Sequence, residues 1–232
     1  NQVGAKQHGN VEKHLYQMYS LQKFYEDEGK SQPLEGVRDV VTSIKLDGAA
    51  ISLLYVAGNL VRALTRGDGV EGQIITDKIL SNPSLAPHEV PRKGVFQVTG
   101  EIAAPKSVEN ARNYAAGALN LKDVNEFKTR ALSFFAYNVT PSTNPTYRED
   151  MAELSSMGFN TVQENDLEHI YPNDGVVFRV NNNALFTEMG FTSKHPRGAY
   201  AKKIRAEHVE TKLLDVEWQV GKSGKVTPVA IL

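Results

Sequence analysis

Val40-Val41-Thr42-Ser43-Ile44-Lys45-Leu46-Asp47-Gly48, followed by Ile51-Ser52-Leu53-Leu54-Tyr55-Val56 and, after Ala57-Gly58-Asn59, by Leu60-Val61-Arg62-Ala63-Leu64, is the stretch that sets the fold class. Short β-branched and apolar runs broken by Asp-Gly and Gly-Asn read as strands, the last two forming a hairpin. Outward from there, Val95–Val98 running into Gly100-Glu101, Leu132–Val139, and Val176–Val180 entered through Asn173-Asp174-Gly175 read as further strands. Helices are predicted over residues 10–28, where Val11, Leu15, Met18 and Phe24/Tyr25 are spaced to share a side, and over the alanine-rich residues 108–120. A third helix is predicted over 147–157, opened by the capping box Thr146-x-x-Glu149 and stopped by Gly158. The pattern is α+β, with antiparallel sheets and flanking helices.

At the other end, Asp215–Val220, the turn Gly221-Lys222-Ser223-Gly224 and Lys225–Leu232 alternate as a two-stranded unit. Such a hairpin is marginal alone in water. Residues 1–206 are therefore expected to form one domain and residues 207–232 the opening of a second, β domain.

Composition narrows the function classes. The 232 residues are 41% hydrophobic and 23% charged, ordinary for a globular chain. A net charge of -1 argues against gripping nucleic acid over the whole surface, so any such contact must come from local patches. The absence of cysteine excludes disulfides and cysteine-ligated zinc within the chain. No run approaches the roughly 20 apolar residues of a membrane helix, and the polar Asn1–Asn10 lacks a signal-peptide core. No membrane partner is expected, and the cytoplasm is the expected location. Residue 1 is Asn rather than Met, which suggests a fragment or a processed product.

Lys45-Leu46-Asp47-Gly48 stands where a strand ends, a place from which an amine can project into a cleft and act as nucleophile. An exposed Lys before an Asp-Gly turn is the ordinary alternative. Thr65-Arg66-Gly67-Asp68-Gly69-Val70-Glu71-Gly72 permits backbone amides to approach a phosphate or a base, or is simply a long flexible turn. It has neither the P-loop pattern nor the ligand alternation of a calcium loop. Gly100-Glu101 and Asp174-Gly175 each set a carboxylate beside a glycine, a pair suited to a ribose hydroxyl and a divalent metal. Lys194-His195-Pro196-Arg197 with Lys202, Lys203 and Arg205 is the concentrated basic run, a phosphate-binding edge or a solvated face. The histidines form no metal-ligand spacing, no Ser-His-Asp or G-x-S-x-G pattern occurs, and none is assigned a role.

In this order, the segments resemble the adenylation domain of NAD-dependent DNA ligases. Lys45-Leu46-Asp47-Gly48 is similar to the family's nucleophile motif, and Thr65-Arg66-Gly67-Asp68-Gly69 with Gly72 and Thr76 to its T-R-G-D-G-x-x-G-x-x-x-T block. Gly100-Glu101, Asn110-Ala111-Arg112-Asn113 with Ala115-Ala116-Gly117, Phe135-Ala136-Tyr137, Asp174-Gly175-Val176-Val177, and Pro196-Arg197 with Lys203 follow as its later motifs. Gln219–Gly224 and Thr227–Ala230 look like the opening of its OB domain, so the likeness runs from about His14 to Leu232.

The resemblance implies a ligase-type nucleotidyltransferase fold plus the first strands of an OB fold. It implies that Lys45, Asp47 and Lys203 are catalytic, with Lys45 attacking the α-phosphate of NAD, storing AMP as a phosphoramide and passing it to the 5′-phosphate of a nick in double-stranded DNA. It implies nucleotide contacts from Ile44, Lys45, Arg66, Glu101, Tyr137, Val177, Arg179 and Lys203, with Glu101 on the ribose and Tyr137 against the adenine. Magnesium would sit at Asp174 and Glu101, and Arg112 and Arg197 would meet DNA. The family's nicotinamide-binding helical domain finds no counterpart in the few residues before the match, so a helical domain or partner chain is expected to be needed for reaction with NAD. Ser43 stands where the family has Glu, Arg179 where it has Lys, and Asn120 where an Arg is expected. Arg keeps the charge but as a planar fork. These departures suggest a divergent, viral or split, form. An ATP-dependent ligase or capping-type enzyme, and a non-catalytic DNA-binding subunit, are the alternatives.

Overall fold

The computed structural model describes residues 10–203 and 211–232. Two four-stranded sheets form the body, built in the order β5-β4-β7-β8 and β2-β10-β9-β3. The first contains β4 (Ala49–Val56), β5 (Asn59–Thr65), β7 (Val95–Ala103) and β8 (Ser133–Thr140), all antiparallel. The second contains β2 (Gln22–Phe24), β3 (Val40–Leu46), β9 (Asn173–Val180) and β10 (Ala199–Lys203). It is antiparallel except for β2, which runs parallel to β10 along the edge. A short ribbon pairs β1 (Val11–Lys13) with β6 (Glu71–Gln73).

Alternation explains which face of each sheet is buried. Ile51, Leu53 and Tyr55 on β4, Phe96, Val98 and Ile102 on β7, and Phe134 and Ala136 on β8 are fully enclosed. They pack under α1 (Thr76–Ser81), α2 (Ala111–Ala118), α3 (Val124–Lys128) and α4 (Tyr147–Ser156) through Ile79, Ala115, Phe127, Met151 and Leu154. The opposite face of this sheet is polar, with Ser52, Gln97, Thr99 and Glu101 alternating against the core residues. In the second sheet Phe178, Val180 and Tyr200 close on Phe24, Leu34 and α6 (Asn183–Met189). The α4 cap is as predicted, the Thr146 hydroxyl accepting from the Glu149 amide, and Gly158 follows in a left-handed conformation at φ +102°.

The chain passes from one sheet to the other at Leu46-Asp47-Gly48-Ala49. A Cβ on Gly48 would lie 2.0 Å from the Ile102 carbonyl oxygen, so β4 meets β7 closely only because this residue has no side chain. Asp47 donates its amide to Pro172 at 2.9 Å, tying the turn to the start of β9.

Residues 10–28, predicted helical, are instead extended. They form β1, a strap, β2 and a single 3-10 turn at Glu26–Glu28 ended by Gly29 at φ +64°. Their amides go to distant partners: His14 donates to Val70, Met18 to Gly69 and Ser20 to Lys194. Long-range backbone partners outcompete local helical ones, and Val11 and Leu15, counted towards an apolar helical stripe, remain exposed. At the other end β11 (Asp215–Val220) and β12 (Val226–Ile231) form the expected hairpin, with no other strand partner among the described residues. The expected boundary between residues 206 and 207, and Arg205, lie outside the described residues.

Gly48→Ala is expected to cost about 1–3 kcal/mol through forced displacement of the β7 backbone, read as a lower urea midpoint with an unchanged slope. An unchanged midpoint would mean the junction is looser than described.

Candidate active site

Two bulges build the site. Ile44 pairs with Val176 and Leu46 with Asn173, so Lys45 alone faces two residues of β9, Asp174 and Gly175. An extra residue in a ladder bends the strand and re-aims a side chain. Here Gly175, at φ +153° and with no room for a Cβ beside the Lys202 carbonyl, takes up the irregularity. Asp174 is thereby set between two ammonium groups, 3.4 Å from Lys45 Nζ and 2.7 Å from Lys203 Nζ. A second bulge leaves Tyr137 unpaired on β8, between Ala136 opposite Gly100 and Asn138 opposite Thr99.

Electrostatics follow from this crowding. Burial raises the Glu101 carboxyl to about 7, against the Gly48 amide, which donates to its Oε1 at 3.1 Å, and against the charges of Lys45 and Arg66. Burial also acts to raise the Asp174 carboxyl, but the Lys203 hydrogen bond and the two lysine charges outweigh it and hold the group below the usual carboxylate range. Its Oδ1 faces Lys45 Nζ across the 3.4 Å ion pair and makes no closer hydrogen bond. The Tyr137 hydroxyl is pushed up by burial, with the Glu101 charge adding to the effect.

Glu101, Lys45, Asp47 and Arg66 thus share one electrostatic environment, with Asp174 and Lys203 joined to it through Lys45. Val177 lies on the same sheet row, paired with Ser43 and Ala201, while Ile44 and Tyr137 both pack against the cluster that holds Leu46 and Phe135. Asp47 forms an ion pair with the exposed Arg112, whose Nε lies 3.2 Å from Oδ1, which sets Arg112 at the rim.

Other expected site residues are engaged elsewhere. The Arg179 guanidinium lies over the Tyr147 and Phe186 rings, 4.4 and 4.0 Å from their centroids, and donates to the Val180 carbonyl and Asn183 Oδ1. Burial works against its charge. It is a structural cation here, one step removed from the site, since the Tyr147 hydroxyl donates to the Tyr137 carbonyl. Arg197 closes the end of α6, donating to the Met189 and Phe191 carbonyls, and is not gathered with Lys45.

Nor is the glycine-rich block a flexible turn or an open phosphate cradle. Gly69 donates to the Arg66 carbonyl, Val70 and Glu71 donate to the Asp68 carboxylate, and Gln73 donates to Thr65 Oγ1. A Cβ on Gly67 or Gly72 would strike the Glu71 or Thr65 carbonyl at 2.0 or 1.7 Å. The glycines serve a compact turn that delivers Arg66. Sequence reasoning also passed over His14, which is buried and bonded to Ser52 and Arg66, and Tyr147. Neither lies in a recognisable pattern.

Glu101 and Asp174 do not by themselves make a magnesium site. Both Asp174 oxygens face ammonium groups and Glu101 accepts from Gly48, whereas magnesium demands a near-octahedral oxygen shell. Among the described residues the closest gathering of possible ligand groups, Asp166, Glu168 and His169, is exposed.

With the geometry in place, similarity to known proteins can be set beside it. Residues 8–108 match the family model of the NAD-dependent DNA ligase adenylation domain. The chain is 32% identical to a DNA ligase of Cytophaga hutchinsonii over 94% of its own length and 40% of that protein's. It is 33% identical to a DNA ligase of Staphylococcus saprophyticus over 99% and 41%, and 35% identical to one of Christiangramia forsetii over 94% and 40%. It thus spans about two fifths of these relatives. Among the described residues no helix is long and apolar enough to cross a membrane.

Because the folded state prefers protonated Glu101 more than the unfolded chain does, this group's contribution to stability is present below the unfolded value near 4.5 and is lost as pH rises through about 7. Glu101→Gln should therefore gain melting temperature relative to the unsubstituted chain on going from pH 5 to pH 8. A constant difference across that range would refute the buried-carboxyl assignment.

Proposed function

We propose that this chain is the adenylation domain of an NAD-dependent DNA ligase, the family whose model residues 8–108 match, and that it forms a lysyl-AMP intermediate at Lys45. The observation that carries the proposal is the cluster at the junction of the sheets, where Lys45 and Lys203 flank Asp174. The amine nitrogen of Lys45 would bond to the α-phosphorus of NAD as the bond from phosphorus to the nicotinamide mononucleotide oxygen breaks, the amine losing its proton to solvent. Covalent storage divides one difficult transfer into easier steps. AMP then passes from the lysine to the 5′-phosphate of a nicked duplex, and the 3′-hydroxyl attacks that phosphate, forming the phosphodiester as AMP leaves.

Each nearby group has a task. Charge on the phosphate oxygens calls for fixed cations, and Lys203 is placed to supply one once phosphate competes for it with Asp174. Glu101, where Lys45 and Arg66 are both felt, would accept from a ribose hydroxyl. Tyr137, freed from the ladder by its bulge, would pack on the base. Ile44 and Val177 would line the apolar side, and Asp47 would set the turn beside the nucleophile while restraining Arg112. Arg112, exposed at the rim, and Arg197 would meet DNA phosphate. Arg179 would support the base-binding side through Tyr147 rather than touch the nucleotide. Magnesium, when bound, would lower the charge on the phosphates and take most of its ligands from them. The nicotinamide half is assigned to a helical domain or partner chain outside the described residues, and the β11–β12 hairpin to the opening of an OB domain.

Incubation with NAD, in the presence and absence of such a helical partner, followed by intact mass and peptide mapping, tests the proposal. One adenylyl group on Lys45 is expected, none after Lys45→Ala, and labelling slower by about 10²–10³-fold after Lys203→Ala. Labelling by ATP but not NAD would favour an ATP-dependent enzyme. No adduct with either would leave a DNA-binding subunit.

A further inference from the structure

The polar face of the first sheet is covered by a segment with no part in the chemistry above. Residues 14–24 run as a strap from the glycine-rich turn to the edge of the second sheet. At the near end the His14 ring meets Ser52 Oγ at 2.6 Å and the Arg66 carbonyl at 2.9 Å. Next, Gln97 grips Tyr16 from both sides, its Oε1 accepting the Tyr16 amide and its Nε2 donating to the Tyr16 carbonyl, at 3.0 and 2.9 Å. Met18 donates to Gly69, Tyr19 stacks on Phe191, and the strap ends as β2 along β10.

His14, Ser52 and Gln97 are each less than a tenth exposed, so these bonds are shielded from water. A carbonyl only accepts, so His14 Nε2 carries the proton. In the neutral ring Nδ1 then accepts from the Ser52 hydroxyl, which fixes the tautomer. Burial, which favours the neutral ring, agrees with this.

What the ring holds is the backbone at Arg66. The Arg66 amide donates to Ala50 at 3.1 Å, and Ala50 pairs directly with Glu101. Arg66 is therefore fixed one strand from the carboxylate it influences, by its amide on one side and by its carbonyl, through His14, on the other. We propose that His14 is a positioning residue: by tying the Arg66 carbonyl to Ser52 it holds the glycine-rich turn so that the Arg66 side chain is presented, beside Glu101, to the bound nucleotide. This inference rests on the nucleotide-binding reading, and its test separates the two.

Amide hydrogen exchange and AMP affinity by calorimetry are measured on the unsubstituted chain, His14→Ala, His14→Gln and Ser52→Ala. In His14→Ala the amides of Met18 and Gly69 should exchange roughly tenfold faster, the loss of about one hydrogen bond, while Val98 and Ile102 in β7 keep their protection. AMP affinity should fall by a similar factor. His14→Gln, which keeps an N–H for the Arg66 carbonyl, should restore both, and Ser52→Ala, a milder change, should move both in the same direction. Unchanged exchange at Met18 and Gly69 would overturn the proposal, as would faster exchange throughout β7, AMP affinity indifferent to His14, or a glutamine variant no better than alanine. If the unsubstituted chain fails to bind AMP, the nucleotide reading falls and with it the purpose assigned to Arg66. The exchange data would still decide whether His14 holds the turn.

Discussion

Everything chemical in this chain depends on the backbone contact at Gly48. Two sheets are joined by a turn so tight that an added methyl would lie 2.0 Å from the Ile102 carbonyl oxygen. The turn sets Lys45, on the last turn of ladder before the junction, against Glu101 on the strand beyond it. The Gly48 amide completes the arrangement by donating to Glu101 itself. The backbone that makes the corner thus also neutralises part of the charge placed beside it. A longer or looser connection would let the two sheets part, and the amine and the carboxylate would cease to share a cleft.

The second organising fact is a pair of ladder irregularities on opposite walls. Regular alternation would place Asp174 and Gly175 on successive faces of β9, and only one of them beside Lys45. The bulge puts both opposite Lys45, and the cost of desolvating Asp174 is met by two lysines at close range. On the facing sheet the bulge at Tyr137 leaves one aromatic free of strand pairing next to a cluster of its own kind, Phe135 and Tyr171. Such irregularities sacrifice ladder bonds, and here they fall next to Glu101, whose carboxyl burial raises, and Asp174, whose carboxyl the two lysines lower.

How much of this was legible depended on whether the information was local. The strands β3, β4 and β5, the α4 cap and the terminal hairpin follow from short-range patterning and turn residues, and all were read correctly. The grouping of Lys45, Glu101, Asp174 and Lys203 was legible only through ordered motifs, since their spacing exceeds any helix or strand period. Residues 10–28 misled because Val11, Leu15 and Met18 mimic a helical stripe while the segment's backbone is claimed by distant partners, Gln73 for Val11, Gly69 for Met18, Lys194 for Ser20 and Tyr200 for Gln22. The bulges at Lys45 and Tyr137 leave no signature in composition, and glycine spacing alone does not say that the amides of the 65–72 block are spent on Arg66, Asp68 and Thr65. Arg179 looked like a ligand from its place on a motif strand. Two aromatic rings and Asn183 claim it instead, and no property of a single sequence reveals that.

The parallel edge pair of β2 and β10 carries a consequence for how the molecule is made. Gln22–Phe24 wait for Tyr200–Lys202, and β3 waits for β9, so the second sheet is assembled from strands at opposite ends of the domain. The first sheet and its helices draw on one nearly continuous run of chain and can collapse early, whereas closing the long loops of the second is entropically slow. Within this span β3, which carries Lys45, is synthesised long before the β9 strand it pairs with. Until β9 follows, a nascent chain carries β3 unpaired beside the early core of the first sheet, which makes that strand a segment in need of a chaperone's protection.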